Sequence, residues 1–285
     1  MSKIANTDQA EYWSGPSGEK WVQKQDMFDA LMTPVLEVLL ARAGIKAGQK
    51  VLDIGCGTGA SLLQLAGFVG PSGHVTGVDV STPMLAMARA RVETAELDNV
   101  TCIEADAQVY DFGSMAVDQI VSRFGVMFFE DPYAAFANIA KALAPGGKMT
   151  FITWAGLPEN PWFRLPIEFA KARVGSPPPP DPRAPGPMAF SEQDYVTDIL
   201  IQAGFRDVTA ETVHPSLSPL GTLSDVADFA GREGPASRIV NDMGGSDDDV
   251  LAIVSDLENA MRDFDTSDGV RVPAKLNLFS GSAAD

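Results

Sequence analysis

Short apolar runs alternate with longer segments of helical periodicity in the first half of the chain. The apolar runs lie at residues 51–54, 74–79, 100–104, 117–122 and 148–154. Segments such as 60–68 and 132–143 follow these runs and carry apolar residues at helical spacing. Strands that alternate with helices are typical of a parallel α/β sheet. We therefore predict an α/β core over residues 50–155.

The rest of the chain divides into blocks of different character. Apolar residues at helical spacing predict a long helix over residues 25–43. Prolines concentrate in residues 156–190, which predicts a loop or lid rather than regular structure. Residues 224–262 predict two or three helices. The division has six parts: an N-terminal helical cap (1–49), the core (50–155), a proline-rich lid (156–190), a core helix with a sixth strand (191–215), a helical insertion (216–271) and the final strand (272–285).

Four local signals predict where elements begin and end. Ser81 predicts the start of a helix after the second strand, and Ser191 predicts the start of another. The acidic triplet at residues 247–249 favours a third helix start, because acids stabilise the positive end of the helix dipole. The proline and glycines within residues 144–147 predict a turn before the fifth strand.

The most specific motif follows the first apolar run. Residues 51–59 read VLDIGCGTG, so a short strand ends in an acid and three alternating glycines. With Ala60, the glycines formally satisfy the dinucleotide fingerprint, and Asp79 lies about twenty residues on, as that fingerprint expects. Asp53 favours a different ligand, because its carboxylate would repel a pyrophosphate and attract an ammonium group. S-adenosylmethionine (SAM) carries an ammonium group and no phosphate, so this acid favours SAM.

Two further acids end the next two strands. Asp79 ends the second strand and is suited to accept hydrogen bonds from the ribose hydroxyls of such a ligand. Asp106 follows the third strand, where a carboxylate can accept a hydrogen bond from the exocyclic amine of adenine. Met84 lies in the first turn of the helix between them, where its thioether is placed to pack on the adenine face. These three residues extend the SAM interpretation along the sheet.

These motifs resemble the class I SAM-dependent methyltransferases, within the broad group that includes the ubiquinone- and menaquinone-biosynthesis C-methyltransferases. The matching segments are VLDIGCGTG, VTGVDVSTPMLAMAR, EADAQ, VSRFGVMFFEDP and LAPGGKMTFITW, in the family's order and spacing. The resemblance implies a Rossmann-like, mostly parallel seven-stranded sheet of order 3-2-1-4-5-7-6 with an antiparallel last strand. It also implies helices on both faces of the sheet and helical lid insertions.

The resemblance also implies roles for individual residues. It assigns the methionine end of SAM to Asp53 and the glycines, and it places Arg123 near that end. It assigns the ribose to Asp79 and the adenine to Asp106 with Ala107. The full set of expected cofactor contacts is Asp53, Gly55, Cys56, Gly57, Gly59, Asp79, Val80, Met84, Asp106, Ala107, Arg123, Phe124 and Trp21.

Residues 12–22 resemble the N-terminal cap of one bacterial subgroup of these enzymes. Two tryptophans, Trp13 and Trp21, lie there beside turn-forming residues. One interpretation is a segment that folds over the cofactor. The other is that both rings only dock the first helices on the core. The sequence favours neither, and a loss of SAM affinity in a Trp21→Ala variant would support the first.

No residue stands out as a general base. Methyl transfer from a sulfonium is an in-line displacement, in which alignment and the exclusion of water are the enzyme's main contributions. His214, Tyr12 and Tyr195 are weak candidates for a catalytic role. Four aromatic residues either roof an apolar acceptor pocket or pack the lid itself: Trp154, Trp162, Phe163 and Phe169.

The composition limits the partners of the chain. A formal net charge of −17 with no basic cluster disfavours nucleic acids and anionic membrane surfaces, because both are bound through lysine and arginine. Cys56 and Cys102 are the only cysteines, which indicates neither a disulfide framework nor a metal site. No stretch reaches about 18 continuous apolar residues, and the N-terminus lacks a basic region followed by an apolar run, so a cytoplasmic location is expected. The oligomeric state stays open, with a homodimer as one option.

The sequence therefore predicts a SAM-dependent methyltransferase that acts on a small, apolar or aromatic metabolite and holds no metal. Two alternatives stay open. An NAD-dependent oxidoreductase is supported by the glycine fingerprint and opposed by Asp53 and Asp106. A SAM-binding protein that acts through interaction, without catalysis, is excluded by no sequence feature.

Overall fold

Strands that alternate with helices build a central sheet in the computed structural model, which describes residues 4–113 and 115–283. The strands are β1 (Lys50–Ile54), β2 (His74–Asp79), β3 (Val100–Glu104), β4 (Val117–Arg123), β5 (Leu143–Trp154), β6 (Arg206–Val213), β7 (Ser216–Leu217), β8 (Asp265–Thr266), β9 (Gly269–Val270), β10 (Val272–Pro273) and β11 (Leu276–Ser282). Within the described residues, seven strands form the main sheet, while β7 pairs with β10 and β8 pairs with β9.

The main sheet has the order β3-β2-β1-β4-β5-β11-β6. Strands β1 to β5 pair in parallel, and β11 runs antiparallel to both β5 and β6. The predicted order 3-2-1-4-5-7-6 with an antiparallel last strand is therefore confirmed. The strand order reverses between β1 and β4. In an open α/β sheet, ligands bind at such a reversal, beyond the carboxyl ends of the strands.

The helices cover the sheet on both faces and extend beyond it. They are α1 (Thr7–Ser14), α2 (Pro16–Gln23), α3 (Gln25–Ala43), α4 (Ala60–Val69), α5 (Thr82–Thr94), α6 (Pro132–Ile139), α7 (Pro161–Val174), α8 (Gln193–Gln202), α9 (Leu223–Glu233), α10 (Pro235–Asp242) and α11 (Asp247–Ala260). Helices α3, α4 and α5 contact strands β1 to β5 on one face, and α6 and α8 cover the other. Of the helices described, none combines the length and apolar content needed to cross a bilayer.

Burial explains why the predicted elements formed where they did. Val51, Leu52 and Ile54 of β1 are all buried, because helices cover both faces of this central strand. Helix α3 has the predicted bounds, and its apolar stripe, which includes Leu31 and Val35, is fully buried against the sheet. This packing fixes the carboxyl ends of β1 and β4 next to the start of α3.

The helices of the two insertions form one layer. Helix α7 follows β5, and α9, α10 and α11 lie between β6 and β11. These four helices contact one another although two separate stretches of chain supply them. Phe229 of α9 also contacts Phe28 of α3, with ring centroids 5.1 Å apart. The layer therefore reaches the N-terminal helices beside the end of the sheet.

The prediction of irregular structure throughout residues 156–190 was wrong. Helix α7 occupies Pro161–Val174 within this stretch. Pro161 stands in the first turn, where a missing N–H is tolerated and the fixed φ of proline suits a helix. Pro166 lies inside the helix, and the surrounding apolar residues are buried against the insertion layer. High proline content therefore marked the start of this helix as well as the loop that follows it.

Three predicted boundaries were also wrong, whereas two caps were confirmed. The N-cap of α8 is Glu192 rather than Ser191. The predicted turn at residues 144–147 belongs to β5, which is bulged there because Gly146 adopts a φ of 71°. Residues 272–273 pair with β7 instead of starting the last strand. The Ser81 cap of α5 and the acidic start of α11 are present as predicted.

Candidate cofactor site

The loop after β1 has a conformation that glycine adopts most easily. Gly55, Gly57 and Gly59 have φ angles of 72°, 55° and 84°, in the left-handed region where other side chains are strained. A Cβ atom on Gly55 would lie 2.6 Å from Cα of Gly125, which follows β4. The N–H of Gly55 donates to the carbonyl of Val78 in β2 at 2.8 Å. Neighbouring strands on both sides therefore hold this glycine loop, residues 55–59, in place.

Asp53 lies beneath the glycine loop, and 1% of its surface is exposed. Its carboxylate accepts a hydrogen bond from the hydroxyl of Ser61 in the first turn of α4. Burial raises the pKa of Asp53 from 3.8 to about 6, while the Ser61 hydrogen bond and the charge of Arg123 act in the opposite direction. A cationic ligand group beside this carboxylate would offset the cost of its burial.

A cluster of charged side chains from three elements lies beside Asp53. Arg91 of α5 pairs with Asp29 of α3 at 2.8 Å and donates to the carbonyl of Thr58 in the glycine loop at 2.9 Å. Burial lowers the pKa of Arg123, and the charges of Asp29 and Asp53 oppose this shift. Among the described residues, Arg123 Nη1 and Asp29 Oδ1 are buried atoms without a hydrogen-bond partner. A buried polar atom without a hydrogen-bond partner is costly, so these two atoms mark a place for a ligand that carries both a negative and a positive group.

Asp79 joins the glycine loop to the start of α5. Its Oδ2 accepts from the N–H of Gly57 at 2.7 Å, and its Oδ1 accepts from the N–H of Ser81 at 2.9 Å. Burial raises the pKa of Asp79, and these backbone hydrogen bonds act against the shift. Each carboxylate oxygen offers about two acceptor positions. With the N–H of Val80 as a third backbone donor, the carboxylate of Asp79 keeps acceptor capacity for a ribose hydroxyl.

Cys56 and Met84, which are both predicted to contact the cofactor, point their side chains into the protein interior. Cys56 is buried, and its Sγ lies 2.8 Å from the place where a Cβ on Gly77 would stand, so it faces β2. Burial raises the pKa of the Cys56 thiol well above its usual value. Met84 is also buried, with Cε 3.0 Å from the position of a Cβ on Gly57. Val80 lies nearby in the chain and accepts from the hydroxyl of Ser14 at 3.4 Å.

Phe124, directly after β4, has a strained backbone. Its φ is 69°, a conformation that is an outlier for a bulky residue and costs about 1–3 kcal/mol. The ring of Phe124 stacks on Trp154 at the end of β5, with centroids 4.6 Å apart and planes 3° apart. Phe163 of α7 meets Trp154 edge-on at 4.8 Å. An aromatic wall, Phe124–Trp154–Phe163, therefore stands next to Arg123.

Asp106, after β3, is bound by the start of the chain. Its carboxylate accepts from the N–H of Ala5 at 2.7 Å, from the N–H of Asn6 at 2.9 Å and from the Asn6 side-chain amide at 2.7 Å. The N–H of Gln108 donates to the same carboxylate at 2.9 Å. Ala107 is buried beside it. Residues 4–24, termed here the N-terminal strap, are therefore tied to the predicted adenine position.

The tryptophans of the strap lie in a chain of ring contacts. Trp21 stacks on Phe28 of α3, with centroids 3.8 Å apart and planes 2° apart. Trp13 meets Trp21 edge-on at 5.9 Å and Phe128 at 5.4 Å. These contacts dock α1 and α2 on α3 and on the turn after β4. A contact between Trp21 and the cofactor stays a prediction. In the insertion layer, Trp162 packs against Phe229 at 6.1 Å.

The three candidates for a catalytic base lie in different surroundings. His214 is exposed directly after β6. Tyr12 is half exposed on α1 and meets Trp13 edge-on at 5.1 Å. Tyr195 lies on α8 under the guanidinium of Arg183, 4.2 Å from the ring centroid, and burial raises its pKa. None of these contacts brings a base to the glycine loop, and we assign no general base.

The sequence did not reveal four residues that shape this site: Asn6, Asp29, Ser61 and Arg91. Ser61 carried a weak signal, because a hydroxyl in the first turn after the glycine loop can reach back to the acid that precedes the loop. Asn6 and Asp29 carried no such signal. The partner of Asn6 is Asp106, 100 residues away, and the partner of Asp29 is Arg91 on another helix.

Comparisons with known proteins concern the family of this chain. Residues 51–147 match a family model described as a methyltransferase domain. The chain is 32% identical over 157 residues to aklanonic acid methyltransferase DauC from a Streptomyces species, covering 52% of this chain and 68% of that protein. It is 28% identical over 183 residues to a demethylmenaquinone methyltransferase from Shouchella clausii, covering 59% and 75%. The chain belongs to the SAM-dependent methyltransferases.

This methyltransferase also shares its fold with solved structures. Phosphoethanolamine N-methyltransferase 2 of Haemonchus contortus, in complex with SAM, matches with a TM-score of 0.59 and 20% identity, over 99% of this chain and 61% of that chain. The YcgJ protein of a Bacillus species matches with a TM-score of 0.53 and 18% identity, over 88% and 98%. At this identity the likeness concerns the fold alone. The alternatives of an oxidoreductase and a non-catalytic protein receive no support.

The residues of the methyltransferase are complementary to two of the three parts of SAM, the methionine end and the ribose, and less so to the adenine. At the methionine end, Arg123 Nη1 and the carboxylates of Asp29 and Asp53 complement a carboxylate and an ammonium group. At the ribose, Asp79 has spare acceptor capacity. At the adenine end, the strap already supplies donors to Asp106, so the fit there depends on the strap.

Proposed function

We propose that this methyltransferase transfers the methyl group of SAM to a small, apolar or aromatic metabolite by in-line displacement. The single observation that carries the proposal is the pair of buried, unpartnered atoms beside the glycine loop, Arg123 Nη1 and Asp29 Oδ1. SAM supplies a sulfonium-bound methyl group when it is bound. The chain's own residues hold the donor, align the acceptor and exclude water.

The proposed donor site is built from three strand ends. Arg123 pairs with the carboxylate of the methionine end, and Asp53 with Asp29 binds its ammonium group. Asp79 accepts from a ribose hydroxyl. The glycine loop allows the ligand to approach the backbone closely, which side chains at these positions would prevent. In the described structure, a Cβ on Gly57 would have one neighbour within 4 Å, the Cε atom of Met84. Cys56 then contributes through its backbone rather than its thiol.

The proposed acceptor side is the aromatic wall. Trp154 is buried between Phe124 and Phe163, so the half-buried rings of Phe124 and Phe163 are the part of the wall that an apolar acceptor would contact. The names of two relatives, which refer to aklanonic acid and demethylmenaquinone, support a small-molecule acceptor. Helix α7 supplies Phe163 to this wall, and the other helices of the insertion layer pack on α7. A cytoplasmic location is part of the same proposal.

The experiment that tests the function is a screen for methyl acceptors. Purified protein is incubated with SAM that carries a labelled methyl group and with a fractionated metabolite extract, and labelled products are isolated. We expect label in an apolar, organic-extractable product. Heat-treated protein and the Asp53→Asn variant serve as controls. Label that enters only polar products, or no product at all, would contradict the proposed acceptor class.

Removal of the Arg123 guanidinium tests the methionine end. We expect Arg123→Met to weaken the binding of S-adenosylhomocysteine (SAH) by about 10- to 100-fold, because a hydrogen bond to a charged group contributes about 1.5–3 kcal/mol. Binding of 5′-methylthioadenosine, which lacks the amino-acid end, should stay within about twofold of the unmodified protein. Isothermal titration measures both. Arg89→Met, at an exposed arginine on α5, is the matched control, and an equal loss for both ligands would contradict the assignment.

A further inference from the structure

Asp106 has no acceptor position to spare in this structure. An ionised carboxylate accepts about four hydrogen bonds, two on each oxygen. Four N–H donors from residues 5, 6 and 108 fill these positions at 2.7–2.9 Å. Asp106 is also buried, with 3% of its surface exposed. A fifth donor, such as the amino group of an adenine, can bind only if one of the four leaves.

Asn6 is held in this position from both ends of its side-chain amide. The NH₂ group donates to Asp106 Oδ1, and the carbonyl oxygen accepts from the N–H of Glu130 at 2.6 Å. Asn6 therefore connects the loop after β3 to the loop after β4, and 5% of its surface is exposed. A buried amide with both ends bonded is costly to displace, since its partners would lose hydrogen bonds as well.

The strap is also tied to the predicted ribose position. The hydroxyl of Ser81 donates to the carbonyl of Trp13 at 2.6 Å, and Ser14 donates to the carbonyl of Val80 at 3.4 Å. Gly18 fits tightly between Trp13 and Ser81, where a Cβ would clash with the Trp13 carbonyl. The strap thus follows the donor site from the loop after β2 to the loop after β3. Asn6 is the anchor at its adenine end.

We propose that Asn6 holds Asp106, so that this carboxylate anchors the N-terminal strap at the donor site instead of accepting the amino group of adenine. Asn6 is then the residue that sets nucleobase discrimination. With Asn6 in place, the enzyme binds donors with and without the 6-amino group almost equally. Removal of its side chain frees one acceptor position on Asp106 Oδ1 and gives the enzyme a preference for the amino group. This inference rests on the proposed use of SAM.

The test compares two ligands by isothermal titration. The first is SAH, and the second is its 6-deamino analogue, in which purine replaces adenine. For the unmodified protein we expect dissociation constants within about threefold of each other. For Asn6→Ala we expect SAH to bind about tenfold more tightly than the analogue, the effect of one hydrogen bond to a charged group. Ser14→Ala, which weakens the strap without freeing Asp106, is the control and should keep the ratio of the unmodified protein.

Each possible result either supports or contradicts the proposed role of Asn6. A tenfold preference for SAH in the unmodified protein would contradict it, because Asp106 would then bind adenine despite Asn6. Equal binding of both ligands to Asn6→Ala would also contradict it. Should that variant fail to fold, hydrogen exchange of the unmodified protein replaces it. The amides of residues 5 and 6 should stay protected at saturating SAH, and their exposure would overturn the inference. Failure of SAH to bind at all would contradict the proposed function instead.

Discussion

Asp53→Asn is expected to lower the affinity for SAH by about 100-fold or more at about pH 7.5, without lowering the melting temperature. The amide has the same shape and can still accept the hydrogen bond of Ser61, so the loop keeps its structure. It cannot pair with the ammonium group of the ligand. Isothermal titration and a thermal melt measure the two effects. An unchanged affinity would contradict the assignment of Asp53 to the methionine end.

The pH dependence of the same variant gives a second readout. The folded pKa of Asp53 is about 6, above the value of 3.8 expected when the chain is unfolded. Between these values the folded protein holds a proton that the unfolded chain has released, so the contribution of Asp53 to stability falls as the pH rises through this window and is constant above it. The free energy of unfolding of the unmodified protein, relative to Asp53→Asn, should fall by about 3 kcal/mol between about pH 3 and pH 7.

The difference between the two proteins is the quantity to measure, because burial also raises the pKa of Asp79. Denaturant unfolding at a series of pH values provides it. SAH binding should strengthen over the same window, since the ammonium group pairs with the ionised carboxylate. If the difference in the free energy of unfolding between the two proteins did not change with pH, Asp53 would not have the raised pKa described here.

Gly55→Ala is expected to destabilise the protein by about 3 kcal/mol or more. The added Cβ would stand 2.6 Å from the backbone of Gly125, and the φ of 72° is strained for any side chain. Neither backbone can move without breaking β1 or β4. Denaturant unfolding measures the loss, and SAH binding should be lost with it.

Gly67→Ala provides the matched control for this substitution. Gly67 is an exposed residue inside α4, and a Cβ there would have no described atom within 4 Å. Alanine should therefore stabilise the helix by up to about 1 kcal/mol. Equal effects of the two substitutions on the free energy of unfolding would contradict the account of the glycine loop.

Much of the core could be predicted because its signals are local. The glycine loop, the acids Asp53 and Asp79, and the cap at Ser81 each follow from a strand that ends and a helix that begins within a few residues. The sheet order came from the family resemblance, which covers five such segments in register. These features depend little on contacts with distant parts of the chain, so the sequence alone predicts them.

The features that the sequence did not reveal depend on contacts across the fold. Asp29 reaches Arg91 from another helix, and Asn6 reaches Asp106 from the far end of the chain. No local pattern encodes such pairs. The helix at Pro161–Val174 was missed for a different reason, since the same prolines that disfavour helix interiors also favour helix starts. Tertiary packing decided between these two roles.

A crystal structure of the protein with SAH tests the proposed donor site directly. We expect the amino-acid end of SAH to lie under the glycine loop, with its carboxylate about 3 Å from Arg123 Nη1 and its ammonium group about 3 Å from Asp53 or Asp29. A ribose hydroxyl should contact Asp79. An amino-acid end that points to solvent, or a ligand bound away from the ends of β1 and β4, would contradict the account.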